Sequence, residues 1–280
     1  MCTVKHSERK AKAINNLTLM DDKFFRFFFK DNPEALEDVI SACLGEEGLK
    51  VERMNTQDDI VNLYGHSISM DARVITKDGR HIDVEVQKGH FDETKPRSQY
   101  YLAALMFNSL ESGSHFTDLD DVYVIFIMDK DYFRHGEEKY ESDDIVLQPH
   151  SIRLETKGHL IFINGEADSE SAIGKLMNDF RCKDSENMQY NRLRERMKNI
   201  KRPEVIETMQ SELDKIYEEE FEERLKEGIE EGVKKGIEER VKKGITEEIV
   251  KIAKKMISDG LSIELIAKYT GLSSGEIQAI

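Results

Sequence analysis

The sequence predicts an α/β fold, a mixed central sheet flanked by helices, followed by a helical C-terminal extension. Three observations carry that reading. Residues 67–88 alternate polar and apolar side chains in two runs around Lys77-Asp78-Gly79, the pattern of a β-hairpin. Thr94-Lys95-Pro96-Arg97 then opens a helix that runs to about Ser112. Val122-Tyr123-Val124-Ile125-Phe126-Ile127-Met128 is too continuously apolar for a half-exposed strand and reads as a central buried one. Strand, strand, helix, buried strand is the order of an α/β core with a crossover.

The remaining elements follow in order. Residues 21–44 read as helical, with Phe24, Phe25, Phe28, Val39, Ile40 and Leu44 available for a core; Asn32-Pro33-Glu34 marks a new helix start, Pro33 lying in its first turn. Residues 49–54 and 60–64 form a further strand before the hairpin. On the helix from Thr94, Leu102, Leu105, Met106 and Leu110 give an apolar face, and Gly113 is its stop. Residues 152–164 suggest one more hairpin around Lys157-Gly158, and helices dominate thereafter.

From Gly228 a four-residue pattern repeats. Its Glu230, Lys234, Glu238 and Lys242 form i,i+4 pairs worth ~0.2–0.5 kcal/mol each. Each interior glycine costs ~1 kcal/mol relative to alanine, so the glycines win and the segment frays unless its Ile/Val ridge packs on a partner. It reads as a mobile or oligomer-forming arm. At the end, Gly271 sits at a turn and Ser273 or Ser274 caps a second helix, resembling the helix-turn-helix of small DNA-binding modules. That second helix is under two turns long and holds no arginine or lysine, which suits a hairpin that packs or oligomerises better than one that reads sequence.

The hairpin register decides what its polar face can do. A two-residue Asp78-Gly79 loop sets Asp71 opposite Val86 and mixes apolar with polar faces. A three-residue loop, with Gly79 in the left-handed conformation of a bulge, pairs Val74 with Ile82, Ala72 with Val84 and Met70 with Val86. A one-residue slip flips every side chain, so burial selects the second register. It places Asp71 opposite Glu85, Arg73 opposite Asp83 and Ser69 opposite Gln87. Opposed side chains have Cβ atoms only ~5 Å apart, and two carboxylates that close need a positive charge between them. Arg73 supplies part of it; a hard cation held by carboxylate oxygens is the stronger answer.

An acid on one strand followed by Glu85-Val86-Gln87 on the next resembles the PD-(D/E)XK nuclease superfamily, and more closely its recombination-promoting nuclease and transposase-associated branch, whose second motif commonly reads E-X-Q. The Phe-rich Asp22–Lys30, the Arg97-Ser98-Gln99-Tyr100-Tyr101 helix and the charged, glycine-punctuated tail frame it in the same order. The resemblance implies a restriction-endonuclease-like core with Asp71 and Glu85 as ligands of Mg²⁺ (Mn²⁺ as a possible substitute). Gln87 stands at the position usually held by lysine, able to orient a water but carrying no charge. Lys88 points to the opposite strand face. Related folds place an acid on the first helix, which makes Asp22, Glu34 and Glu37 candidates; the sequence does not choose among them. Asp83 shares the acidic face and either supports the metal or pairs with Arg73. Arg97 and Tyr101, four apart near a helix N-terminus, can contact a phosphate beside the metal; the bland alternative pairs Arg97 with a surface acid and buries Tyr101.

Composition sets the limits. Of 41 basic and 56 acidic side chains, 20 and 22 fall in residues 181–280, which leaves 21 and 34 and a net charge of −13 in residues 1–180. Phosphate binding relies on lysine and arginine, so an acidic core excludes a simple nucleic-acid binder and leaves metal ions or local basic patches to offset the charge. One patch is Arg181, Lys183, Arg192, Arg194, Arg196, Lys198, Lys201 and Arg202, which is equally a solvated helix face. Cys2, Cys43 and Cys182 match neither a disulfide framework nor a zinc site. The N-terminus lacks the apolar stretch of a signal peptide, and the longest apolar run is far short of the ~20 residues that span a bilayer. A soluble, cytoplasmic protein with no membrane partner is expected. No Gly-rich phosphate loop, paired-cysteine zinc spacing or HExxH is present.

The sequence is therefore read as a nuclease domain over 1–180, a charged helical linker or oligomerisation arm over 181–257, and a small helix-turn-helix-like hairpin over 258–280. The leading function is a metal-dependent DNA endonuclease that forms a homo-oligomer through its C-terminal helices. The alternative is a nuclease-like fold kept as a non-catalytic binding scaffold.

Overall fold

The computed structural model describes residues 14–60, 67–89, 91–148, 152–208, 229, 232 and 249–279. The chain divides into two compact units, Met1–Tyr217 and Glu218–Ile280. The strands of the first are β1 (Val51–Ile60), β2 (Ile68–Thr76), β3 (His81–Gln87), β4 (Val122–Met128), β5 (Lys139–Glu141), β6 (Ile145–Val146), β7 (Ile152–Arg153) and β8 (Gly158–Ile163). Six of them make a mixed sheet in the order β1-β2-β3-β4-β8-β5. The pairs β1/β2 and β2/β3 are antiparallel, β3/β4 and β4/β8 are parallel, and β5 closes the edge antiparallel to β8. This is an α/β, restriction-endonuclease-like fold, with β4 central as its unbroken apolar run requires.

Helices cover both faces. On one side α1 (Asp22–Phe29), α2 (Pro33–Leu44), α4 (Ala172–Arg181) and α5 (Asn191–Ile200) share a core with the inward residues of the sheet. Phe24, Phe25, Phe28 and Phe29 are fully buried there, and Phe25 meets Phe29 at 4.7 Å and Phe180 at 6.1 Å between ring centroids. Each such side chain removed from water is worth ~1.5–3 kcal/mol, so α1 is anchored by its phenylalanines rather than by its propensity. Leu44 is only partly buried. Leu193, Met197 and Ile200 of α5 belong to the same core, past the boundary at residue 180 drawn from the sequence.

On the other side α3 (Thr94–Ser109) lies over β4 and β8. Its buried face is Thr94, Ser98, Tyr101 and Leu105, rotated from the expected Leu102/Leu105/Met106/Leu110 stripe. The rotation has a cause. The start of α3 covers polar side chains of β3, so small and polar residues face the sheet there. Leu102 and Met106 pack instead against Gly158, where an added Cβ would come within 2.8 Å of Met106 Sδ and 3.2 Å of Leu102 Cδ2.

Two expected elements differ. The strand before the hairpin is continuous from Val51 to Ile60, with a bulge between Val51 and Arg53, and residues 61–64 lie outside the described residues. The second hairpin does not form. Gly158–Ile163 is hydrogen-bonded on both sides, by β4 and β5, so it is an internal strand; Ile152–Arg153 pairs with Ile145–Val146 in a separate ribbon. A short α6 (Pro203–Thr208) ends the described part of the first unit.

The second unit contains α7 over 249–258, α8 (Ile263–Thr270) and α9 (Ser274–Gln278). Ala253, Ile266 and Ile277 form its core. Gly271 ends α8 in the left-handed conformation (φ 75°), and Ser273 and Glu276 form a reciprocal capping box at α9. Apart from Ile229 and Gly232, the glycine-punctuated stretch 228–245 lies outside the described residues. Among the described residues no helix is long and apolar enough to cross a membrane.

Candidate active site

The β2–β3 hairpin adopts the three-residue turn. Gly79 has φ 90°, Gly79 N–H donates to Thr76 O at 3.0 Å, and Thr76 N–H donates to Arg80 O at 3.0 Å. Val74 pairs with Ile82, Arg73 with Asp83 and Ala72 with Val84. At the next step the main-chain ladder gives way to side chains. Asp71 N–H donates to Glu85 Oε1 at 2.8 Å, and Val86 N–H donates to Asp71 Oδ2 at 3.0 Å. Each carboxylate thus takes the place of a ladder carbonyl, and the strands part where the two acids meet. Met70 belongs to the α3-side core and Ala72 to the opposite one, so β2 passes between layers at Asp71. Asp71 is 1% and Glu85 0% exposed.

Two arginines approach from opposite layers. From α1, Arg26 Nε donates to Asp71 Oδ1 at 2.8 Å and Nη2 to Asp22 Oδ2 at 3.0 Å, so one guanidinium joins a helix acid to a strand acid. From α3, Arg97 Nη2 donates to Glu85 Oε2 at 2.6 Å and Nη1 to Gln87 Oε1 at 2.9 Å. Asp22 is therefore the first-helix acid that reaches the cluster. Glu37 instead accepts from Lys50 Nζ (2.9 Å) and Val51 N–H (3.0 Å), fixing the start of β1. Glu34 is exposed.

The two arginines leave negative charge in excess. Burial, then the charge of Asp71, lifts Asp22 to about 7 against the pull of Arg26. Burial, then Glu85, lifts Asp71 to about 6. Glu85 is raised well above the ordinary carboxylate range by burial and by neighbouring Asp83, with Arg97 opposing. A cation brought among these acids would favour their ionised forms and lower those values.

Around them, Gln87 Nε2 donates to Gly89 O at 2.9 Å. Tyr101 is 8% exposed; its hydroxyl donates to Ser69 O at 3.2 Å, and its ring lies 4.9 Å beneath the Arg97 guanidinium. Lys88, on the other strand face as expected, pairs with Asp21 at 2.6 Å. Sequence reasoning missed Arg26, whose signal was the i,i+4 spacing from Asp22 at the mouth of the Phe-rich helix.

A family model described as PD-(D/E)XK nuclease family transposase matches residues 19–167, more than half of the chain. The chain belongs to this nuclease family. Its residues 246–280 also match the C-terminal HTH domain of the Rpn/YhgA-like nuclease family, which covers α7, α8 and α9. Searches of curated proteins and of solved structures gave no match.

Nucleases of the PD-(D/E)XK pattern imply a divalent metal, and the donor set can be judged against one. Among the described residues no three His, Cys, Asp or Glu side chains form a ready metal centre. The chemistry nevertheless fits. Asp22, Asp71 and Glu85 offer hard oxygens, the donors that Mg²⁺ and Mn²⁺ take. Asp71 Oδ2 and both Glu85 oxygens each accept one hydrogen bond, and a carboxylate oxygen has two lone pairs.

The basic stretch of residues 181–202 is built differently. Arg181 donates to the carbonyls of Gly165 and Ala167, Arg194 to that of Met188, and Arg196 to those of Phe28 and Lys30. Arg192 reaches Glu34 O and Asp38, Lys198 pairs with Glu186, and Lys201 binds three carbonyls. Four of its eight cations, Arg181, Arg194, Arg196 and Lys201, thus hold the chain's own backbone, while Arg192 and Lys198 remain exposed beside surface acids.

Proposed function

We propose that the protein is a metal-dependent DNA endonuclease whose site is the cluster of Asp22, Asp71 and Glu85. The observation that carries this reading is the meeting of acids from α1, β2 and β3 where the hairpin ladder opens, with negative charge in excess of two arginines. Asp71 and Glu85 hold Mg²⁺, or Mn²⁺ in its place, and Asp22 adds a third carboxylate from the helix layer. When bound, such a cation supplies Lewis-acid polarisation of the scissile phosphate and makes a water more acidic. Arg97, with 35% of its side chain exposed, contacts the DNA phosphate. Tyr101 holds the guanidinium from below and fills core, so its part in substrate binding runs through Arg97. The helix-turn-helix match supports DNA as the substrate class.

A non-catalytic scaffold assembling through residues 203–280 is the second reading. It is favoured by Arg26, which already places a positive charge between Asp22 and Asp71, and by the neutral Gln87. Nicking of supercoiled plasmid in Mg²⁺ or Mn²⁺, with wild type beside Glu85→Ala, separates the two. The endonuclease requires metal-dependent nicking that the variant loses. Equal nicking by both proteins places the activity elsewhere. No nicking, together with a melting temperature unmoved by metal, leaves the scaffold.

A further inference from the structure

We infer that Arg97, held in place by Gln87, supplies the positive charge to the reacting phosphate that a lysine at position 87 would supply in the usual motif; this rests on the nuclease reading above. Four observations point to it. The neutral side chain at position 87 is not a vacant lysine site, because its Oε1 accepts from Arg97 Nη1 at 2.9 Å while its Nε2 donates to Gly89 O. The same guanidinium reaches Glu85 with Nη2, so it spans both polar residues of Glu85-Val86-Gln87 and brings a full charge to the place the motif leaves neutral. Its plane lies over the rings of Tyr101 at 4.9 Å and Phe126 at 5.8 Å, with Tyr101 fixed by its bond to Ser69 O. About a third of the side chain remains in contact with solvent.

Among the described residues no other cation is so placed. Lys88 is turned away to Asp21. Arg26 spends its fork on Asp22 and Asp71 and is less exposed, at 22%. Arginine is also suited to the task. A guanidinium has five donors, and the Glu85 and Gln87 bonds use two of them, while its planar fork matches two phosphate oxygens at once. It keeps its charge at every working pH, so it stabilises developing negative charge without giving up a proton. Gln87 is then a positioning residue: its carbonyl fixes one edge of the guanidinium, and its own amide is fixed by Gly89 O.

The test compares wild type with Arg97→Met, Arg97→Lys, Gln87→Leu and the double variant Arg97→Met/Gln87→Lys. Three quantities are read for each: single-turnover plasmid nicking in Mg²⁺, duplex affinity by fluorescence anisotropy in EDTA, and the Mg²⁺-induced melting shift. Arg97→Met should nick about 100-fold more slowly, with duplex affinity changed less than about five-fold, since one phosphate contact among several is lost. The double variant should regain at least about ten-fold of that rate, because the charge has been moved to the neighbouring side chain rather than removed. Gln87→Leu should slow nicking less than Arg97→Met does. Wild-type nicking by Arg97→Met, or a double variant no faster than the single one, overturns the inference. If Arg97→Met fails to fold, Arg97→Lys decides the matter: it keeps a charge and should retain at least about a tenth of the wild-type rate, and a folded Arg97→Lys slower than that overturns the inference. A wild type that neither nicks nor gains stability in Mg²⁺ fails the nuclease reading itself, and this inference falls with it.

Discussion

Two sets of cations in this chain use the same head groups for opposite ends. Arg26 and Arg97 converge on the buried carboxylates of Asp71 and Glu85, and even together they leave those acids with pKa values above the ordinary range. Arg181, Arg194, Arg196 and Lys201 donate instead to backbone carbonyls. The first arrangement keeps an electrostatic imbalance alive at a point reachable from solvent. The second satisfies orphaned carbonyls and ties α4, α5 and the segment after α5 to the core. Counting lysines and arginines along the sequence cannot separate the two. What each head group touches can, and only the first set is placed to act on an arriving phosphate or metal.

The sharpest way to break this contrast is at Lys201. Its ammonium donates to Asn15 O at 3.0 Å, Leu17 O at 3.1 Å and Lys183 O at 2.6 Å, one acceptor for each of its three protons. Lys201→Met should cost about 1–3 kcal/mol in urea unfolding, while nicking per folded molecule stays at the wild-type level. Unchanged stability with lost DNA affinity would move Lys201 into a nucleic-acid surface and dissolve the distinction.

The next effect comes from the acids. Asp22 and Asp71 have folded pKa values of about 7 and about 6, above the value near 3.8 expected of the unfolded chain. The folded protein therefore holds protons that the unfolded one releases. In EDTA the stability contributed by this cluster is complete below about pH 4 and is lost progressively as pH rises to the folded values of about 6 and about 7. Asp22→Asn should flatten that part of the stability curve, measured by thermal melting between pH 5 and 8. Saturating Mg²⁺ should flatten it too, since the cation replaces the protons. A wild-type curve that rises steadily over this window would mean that the two arginines neutralise the cluster completely.

Local patterns were legible in the sequence, and packing choices were not. The turn at Lys77-Asp78-Gly79 and the period-two alternation on either side set the hairpin register, because both are decided within a few residues. Beyond Ala72 the expected register is not kept: Met70 packs on the α3 side and Val86 on the other, so they do not pair, and Asp71 and Glu85 meet through side-chain to main-chain bonds instead. Choosing Asp22 over Glu37 required knowing that α2 turns Glu37 toward Val51 N–H, a contact made across 14 residues. Lys157-Gly158 resembled a hairpin turn for a similar reason. Gly158 is small because Met106 and Leu102 of α3 press on it, and a glycine demanded by helix packing looks the same in sequence as one demanded by a turn. Arg26 and Arg97 belong to helices on opposite faces of the sheet, so only the fold brings them to one pair of acids.

The smallest expected effect tests where the comparison ends. Arg192 belongs to the same basic stretch as Lys201, yet it donates to Glu34 O at 2.9 Å and Asp38 at 2.8 Å with 46% of its side chain exposed. Water can replace both bonds when the guanidinium is removed, and an exposed ion pair is worth little. Arg192→Ala should therefore change unfolding stability by less than about 1 kcal/mol, well below the loss at Lys201, and leave nicking untouched. If the two variants lose equal stability, burial of the carbonyl acceptors is not what distinguishes them, and the stretch acts as one network. If Arg192→Ala instead weakens duplex binding in low salt and the loss vanishes at high salt, its guanidinium is shared with phosphate, and the division between structural and site cations runs through this helix rather than around it.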